Sequence, residues 1–323
     1  MNKILEIKNL KKYFPLTNGQ VVKAVDSVNL EISEGETLGL VGESGSGKST
    51  IAYVLVGMYE ATEGKIIYKG EDIAKTGLHR SLKQKREIQI IFQDPGSSLN
   101  PRRTIAESVM LPLQIHNKMS KGDMKKRVDE LLEWVGIPKE FFDKYPRTLG
   151  GGERQLVSVA HALATNPSLM ILDEPTSALD VSVQAKVISK LIDLQKELNV
   201  AYLFITHDLS LMRNVAHRVA ILYLGRMCEQ APTAEFFDKP LHPYTQMLLS
   251  SIPVATAEEE KMKPVRILSK GEIPSPVNVP SGCAFHQRCR DNMPICTEKR
   301  PVMKEVFPGH YVCCHLYNDS VSK

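Results

Sequence analysis

The 323-residue sequence predicts a doubly wound α/β fold, and three observations carry that prediction. Four short runs are apolar on both faces: Thr37-Leu38-Gly39-Leu40-Val41, Leu169-Met170-Ile171-Leu172, Tyr202-Leu203-Phe204-Ile205 and Val219-Ala220-Ile221-Leu222. Such runs suit central strands of a parallel sheet covered on both faces. Helical patterns separate them, Val183 to Leu198 being one, and strands alternating with helices build that kind of sheet. The first run leads through a glycine-rich turn into a helical stretch from Ser49 to Met58.

The remaining elements follow in chain order. Residues 1 to 35 read differently from the rest. Leu5-Glu6-Ile7 and Val28-Asn29-Leu30-Glu31-Ile32 are short β-type segments and predict an added antiparallel sheet. Between about 100 and 166 the pattern is mostly helical, with Arg127 to Val135 the clearest amphipathic stretch. From Pro253 to Pro280 prolines recur in a polar segment, which predicts an extended linker before a cysteine-rich tail. No internal repeat is visible.

Composition narrows the function classes. With 42% hydrophobic and 24% charged residues the chain is an ordinary globular protein. A formal charge of +4 without a run of five or six basic residues argues against nucleic acid as a partner. The basic residues from Lys118 to Arg127 read as a solvated helix face. No segment approaches the roughly 18 apolar residues of a membrane span, and Met1 to Glu6 lacks the apolar core of a secretory signal. The expectation is a cytoplasmic chain that meets the membrane through partners.

The strongest motif is Gly42-Glu43-Ser44-Gly45-Ser46-Gly47-Lys48-Ser49, which matches the P-loop pattern G-x-x-x-x-G-K-[ST] between a strand and a helix. Glycines let backbone N–H groups converge on phosphates, and the helix N-terminus adds partial positive charge. Gly42, Ser44, Gly45, Gly47, Lys48, Ser49 and Thr50 are therefore candidates for holding ATP. Lys48 supplies a point charge to the phosphates, and the Ser49 hydroxyl is placed to ligate Mg²⁺. Phosphoryl transfer also needs a carboxylate for the metal and a group to activate water. Asp173 and Glu174 end an apolar strand at the edge where open α/β sheets bind ligands, Asp173 for Mg²⁺ and Glu174 for the water proton.

Together with Leu149-Gly150-Gly151-Gly152-Glu153-Arg154-Gln155, Asp173 to Asp180 and Thr206-His207-Asp208, the chain resembles the nucleotide-binding subunit of an ABC transporter over residues 1 to about 250. The resemblance implies a P-loop NTPase core of RecA-like type with an antiparallel β subdomain and a helical subdomain at about 100–166. It makes Gln93 of Ile91-Phe92-Gln93-Asp94 a sensor of Mg²⁺ and water, and His207 the contact to the γ-phosphate. Asp180 belongs to a loop crossing a dimer interface, Gly150, Gly151 and Gly152 bind the γ-phosphate of ATP held by a second subunit, and Phe14, or else Tyr13, stacks on adenine. Where the family carries serine, this chain has Gly150, which weakens the site it completes for its partner; Leu156 and His161 stand where arginine is frequent.

Leu241-His242-Pro243-Tyr244-Thr245-Gln246, the extended stretch Gln93 to Arg102, and the tail from Pro280 to Leu316 resemble the oligopeptide/dipeptide and nickel importer subfamily. That implies two permeases, two non-identical ATPases forming a heterodimer, and an extracellular solute-binding protein, with this chain peripheral at the cytoplasmic face of the membrane. Peptide is the expected solute, with nickel or another small solute as the alternative. Residues 251–323 would be the linker and a small cysteine-rich C-terminal domain. Five of the six cysteines lie after residue 282. In a reducing compartment they point to metal and not to disulfides. Cys283, Cys289, Cys296 and Cys314 are spaced more widely than the C-x₂₋₄-C pairs of structural zinc sites. The expectation is a [4Fe–4S] cluster, with zinc the alternative and Cys314 preferred to Cys313 by resemblance.

Overall fold

The structure, a computed structural model, describes residues 2–93, 99–116, 119–252, 267 and 271–317. Three strands come first, β1 (Lys3–Pro15), β2 (Val21–Ser33) and β3 (Thr37–Val41), and β3 runs into helix α1 (Lys48–Leu55). Then come β4 (Glu63–Tyr68), β5 (Glu71–Asp72), β6 (Ile88–Ile91) and a helical stretch. After it stand β7 (Leu169–Asp173), β8 (Ala201–Thr206), β9 (Arg218–Tyr223) and β10 (Arg226–Pro232), and finally β11 (Lys304–Phe307) and β12 (His310–Val312).

Strands β9, β3, β8, β7 and β6 lie side by side in that order and pair in parallel. All four apolar runs are in this sheet. They are apolar throughout because each face of the sheet carries its own hydrophobic cluster. Leu169 and Ile171 join one and Met170 and Leu172 the other; Leu203 and Ile205 are likewise opposed to Tyr202 and Phe204.

On one face the antiparallel sheet β2-β1-β4-β5 and helix α1 bury Leu5, Val28, Ile66 and Ile51 with Leu38 and Leu40. The predicted segments Leu5–Ile7 and Val28–Ile32 prove to be parts of two 13-residue strands. Their pairing shifts register four times, and each shift breaks the alternation that marks a strand in sequence. On the other face pack the helices Ile105–His116, Lys121–Trp134 and Gly151–Leu163, which occupy the predicted helical stretch, and Val181–Leu198. Ser120 caps the second of these, its hydroxyl accepting the Asp123 amide at 3.2 Å. Val128, Leu131 and Leu132 are its buried face, while Lys121, Lys125 and Lys126 are exposed, as the charge run suggested. Lys118 lies outside the described residues. His161 does not stand in for arginine as a charge: burial lowers its pKa, and its Nδ1 is 2.8 Å from the Ser108 carbonyl.

The cysteine-bearing tail is not a free-standing unit. β12 pairs with β10 and β11 with β12, so the tail extends the core sheet to eight strands. Its anchor is Glu229 of β10, fully buried, which accepts the amides of Leu241 and His242 at 2.8 Å each and stands 2.7 Å from His310 Nε2. The predicted linker lies outside the described residues except for Ile267 and residues 271–280. Among the described residues no helix is long and apolar enough to cross a membrane.

Candidate functional site

Parallel strands deliver their C-terminal ends to one edge of the sheet. β3 ends there and enters the loop Gly42–Gly47, β7 ends in Asp173 followed by Glu174, β8 is followed by His207, and Gln93 lies two residues beyond β6. Four segments distant in sequence thus meet at a cleft of about 840 Å³, lined among others by Ser44, Lys48, Ser49, Gln93, Glu174 and His207. Gly45, Gly47 and Thr50 line it too.

Within the loop, Gly47 has φ +103°, and a Cβ there would stand 2.2 Å from the Ala24 carbonyl oxygen, so no other residue fits without moving backbone. Lys48 Nζ donates to the carbonyls of Gly42 (2.7 Å) and Glu43 (3.1 Å). Burial lowers its pKa against the pull of Glu174, Asp173 and Glu43. The Ser49 hydroxyl donates to Asp173 Oδ1 at 3.1 Å. Burial raises the Asp173 pKa, the Ser49 bond opposes that, and the Glu174 charge adds to it.

Glu174 adopts a left-handed backbone, φ 48°, at a cost of about 1 kcal/mol. Its amide donates to the Ile205 carbonyl at 2.9 Å, which ties the turn to the neighbouring strand. Its carboxylate accepts from Gln93 Nε2 at 3.0 Å and lies 3.3 Å from His207 Nδ1. The structure therefore gathers two groups at the cleft, Ser49 with Asp173 and Gln93 with Glu174 and His207. Residues 94–98 of the extended Gln93 stretch lie outside the described residues.

Other sequence candidates stand elsewhere. Gly150 caps the helix Gly151–Leu163. Asp180 caps the helix Val181–Leu198, its Oδ1 accepting the Val183 amide at 3.0 Å. The two helix starts abut, for a Cβ on Gly152 would stand 2.2 Å from Val183 Cγ1. None of Gly150, Gly151, Gly152 and Asp180 lines the cleft. Phe14 does not line it either. Its ring meets Tyr59 edge-on at 5.2 Å, with the Lys12 ammonium 4.8 Å above it, an arrangement the ring quadrupole favours. The Tyr13 hydroxyl donates to Asp26 at 2.9 Å.

Sequence reasoning missed the groups that hold the loop from behind. The Glu43 carboxylate accepts Arg288 Nη1 at 2.7 Å and Nη2 at 3.0 Å. The Glu43 amide donates to the Tyr244 hydroxyl at 3.1 Å. Tyr244 was marked by its His-Pro-Tyr context; nothing local marks Arg288.

The tail cysteines are the expected metal ligands. Among the described residues no group of three or more His, Cys, Asp or Glu side chains is placed to hold a metal ion. Cys283, Cys289, Cys296 and Cys314 are neighbours all the same, since Cys314 feels the charge of the other three. Burial raises the pKa of the Cys283 thiol and pushes Cys289 to about 11 and Cys314 to about 12. Cys283 and Cys289 lie against the main core, and Cys314 clusters separately with Leu241 and Val312. Cys313 is differently engaged, its Sγ 3.2 Å from the Pro301 carbonyl.

A phosphate loop ahead of a helix, an Asp-Glu pair two strands over and a histidine after the strand between them define a P-loop ATPase of the ABC type. Residues 25–177 match the ABC transporter family, and residues 228–296 match the oligopeptide/dipeptide transporter C-terminal region. The chain is 48% identical to the oligopeptide transport ATP-binding protein AppF of Bacillus subtilis, over 98% of each chain. It is 42% identical to OppF of Salmonella typhimurium, covering 96% of this chain and 95% of that one. With the dipeptide transport ATP-binding protein DppF of Haemophilus influenzae it shares 40% over 96% of each. Among solved structures, the dimeric post-hydrolysis state of the ATP-binding cassette MJ0796, bound to ADP and Pi, has a TM-score of 0.65 at 31% identity, covering 71% of this chain and 98% of that one. CbiO1 from Clostridium perfringens has a TM-score of 0.65 at 28% identity, covering 74% and 92%. The chain belongs to the ABC transporter ATP-binding subunits, in their oligopeptide/dipeptide transport family, and is an ABC-type ATPase.

Proposed function

We propose that this chain hydrolyses ATP to power import of di- and oligopeptides through a membrane ABC transporter. Residues 1–250 form its nucleotide-binding unit and 251–323 its C-terminal unit. It works at the cytoplasmic face with a second, homologous ATPase, two permease subunits and an extracellular solute-binding protein, and takes no nucleic acid. The observation that carries the reading is the meeting of Ser49 with Asp173 and of Gln93 and His207 with Glu174 at one edge of the cleft. The Gly42–Gly47 amides and Lys48 bind the phosphates. Ser49 and Asp173, with Gln93, would hold Mg²⁺, which neutralises phosphate charge when bound. Glu174 takes the proton of the attacking water, Gln93 orients that carboxylate, and His207 reaches the γ-phosphate. Gly150, Gly151, Gly152 and Asp180 act on ATP held by the partner ATPase.

The test is co-purification with the permeases followed by ATPase assays in vesicles. Stimulation by peptide-loaded binding protein is expected; stimulation by a nickel-loaded one alone would reassign the solute. For the tail we propose a structural [4Fe–4S] cluster on Cys283, Cys289, Cys296 and Cys314, supported by the mutual proximity of these four thiols. Anaerobically purified protein should be brown with about four irons per chain; one zinc and no iron would replace the cluster.

A further inference from the structure

The cleft has a phosphate side, made by the loop and the carboxylates, and an apolar side. A nucleotide needs both, since a purine base is bound largely through contact with apolar surface. On the apolar side stand Val22 and Ala24 of β2 and, from the C-terminal segment, Ile273 and Pro276. The segment is fastened there: the Pro276 carbonyl accepts the Lys23 amide at 3.1 Å, next to Val22 and Ala24. Further along, Arg288 grips Glu43 of the phosphate loop through two hydrogen bonds, at 2.7 and 3.0 Å. The same stretch of chain therefore touches both sides of the cleft. Ile273 keeps 45% of its surface exposed, a large apolar side chain left open at the cleft. Phe14, the aromatic candidate, meets Tyr59 and Lys12 and is not among the residues that line the cleft.

We propose that the C-terminal segment completes the ATP site of its own chain, with Ile273 and Pro276, beside Val22, forming a surface against which the adenine packs. This rests on the reading of the cleft as the ATP site. The surface recognises a flat base and is indifferent to the phosphates, which sets the test.

Binding to the full-length chain is measured with a fluorescent ATP analogue, and with ATP and inorganic tripolyphosphate as competitors. Ile273→Ser should weaken ATP binding about tenfold, the value of partly burying an isoleucine side chain against a base. Tripolyphosphate binding should change less than about twofold, and Ile273→Leu should restore ATP affinity. Because Ile273 is half exposed, the substitutions leave the fold intact, which circular dichroism checks. If Ile273→Ser leaves ATP binding unchanged while Phe14→Ala or Lys48→Ala abolishes it, the inference is overturned and the site stands. If the unmodified chain binds tripolyphosphate and ATP equally well, the base has no surface here and the inference falls. If it binds neither, the ATP-site reading fails and takes the inference with it.

Discussion

Arg288 and Glu43, 245 positions apart in the chain, form a two-pronged ion pair of 2.7 and 3.0 Å that ties the C-terminal segment to the phosphate loop. The guanidinium is also 5.7 Å from the ring centres of Tyr223 and Phe285. Only 6% of the Arg288 side chain and 23% of that of Glu43 is exposed, so removing one partner strands a charge away from water. Arg288→Gln should cost about 2–3 kcal/mol, below the range for wholly buried pairs. Glu43→Gln should cost a similar amount, and the double variant clearly less than the sum. Urea unfolding measures all three; strictly additive losses would mean that the two groups do not act as a pair.

Glu174 is held by Gln93 at 3.0 Å, with His207 at 3.3 Å, at the mouth of a cleft that also contains Lys48. Glu174→Gln preserves shape and the hydrogen bond from one side, and removes only the base. ATP binding should stay nearly unchanged while hydrolysis falls by about 10² or more. Lys48→Ala should instead lose nucleotide affinity, because it removes a charge from the bound phosphates. Near-normal turnover of the Glu174→Gln transporter would refute the assignment.

How much of this was legible in the sequence depends on distance along the chain. Asp173, Glu174, His207 and Gln93 each sit within two positions of a strand end, and fully apolar strands announce themselves. The parallel sheet then brings the four together without further information. Strand β10 announces nothing, because Glu229 and Gln230 stand among its buried positions. The direction of Phe14 is illegible for a different reason. Register shifts between Leu10 and Lys11 and between Lys12 and Tyr13 defeat any count of which residues face the cleft. The Arg288–Glu43 pair leaves no local trace, since neither side chain needs the other to form its own loop.

His242 makes stability depend on pH. Its Nδ1 accepts the Tyr244 amide at 3.0 Å and caps the helix Pro243–Ser250, a bond that requires an unprotonated Nδ1. Burial lowers its pKa from 6.5 to about 4, against the pull of Glu229, which also accepts the His242 amide. The unfolded chain therefore takes up the proton first as pH falls. Stability is full above about pH 6.5 and is lost progressively towards pH 4. From this group alone the loss between pH 7 and 5 is about 2 kcal/mol. His242→Asn caps without titrating, so its unfolding free energy should fall by about 2 kcal/mol less over that interval. An identical pH slope in both proteins would exclude His242 as the cause.

In the proposed heterodimer Gly150 would make the two ATP sites unequal, and one substitution should even them. It caps the helix Gly151–Leu163 with φ −65° and ψ 169°, an extended conformation open to any residue. A Cβ there would stand 2.5 Å from Glu153 Oε2, the mobile tip of a side chain that can move aside. Glu153 is three positions into the helix, so Gly150→Ser creates a capping box, worth a few tenths of a kcal/mol over glycine. The larger effect is expected across the proposed dimer, where a hydroxyl bond to a charged phosphate would contribute about 1.5–3 kcal/mol. To isolate the site completed by this chain's Gly150, its own P-loop site is silenced with Glu174→Gln. Adding Gly150→Ser to that background should raise residual turnover in the assembled transporter about tenfold or more. A single-turnover assay separates this from alternating hydrolysis, and a thermal melt confirms that the doubly substituted chain folds. Equal turnover with and without Gly150→Ser would show that the missing hydroxyl is not what slows the partner's site.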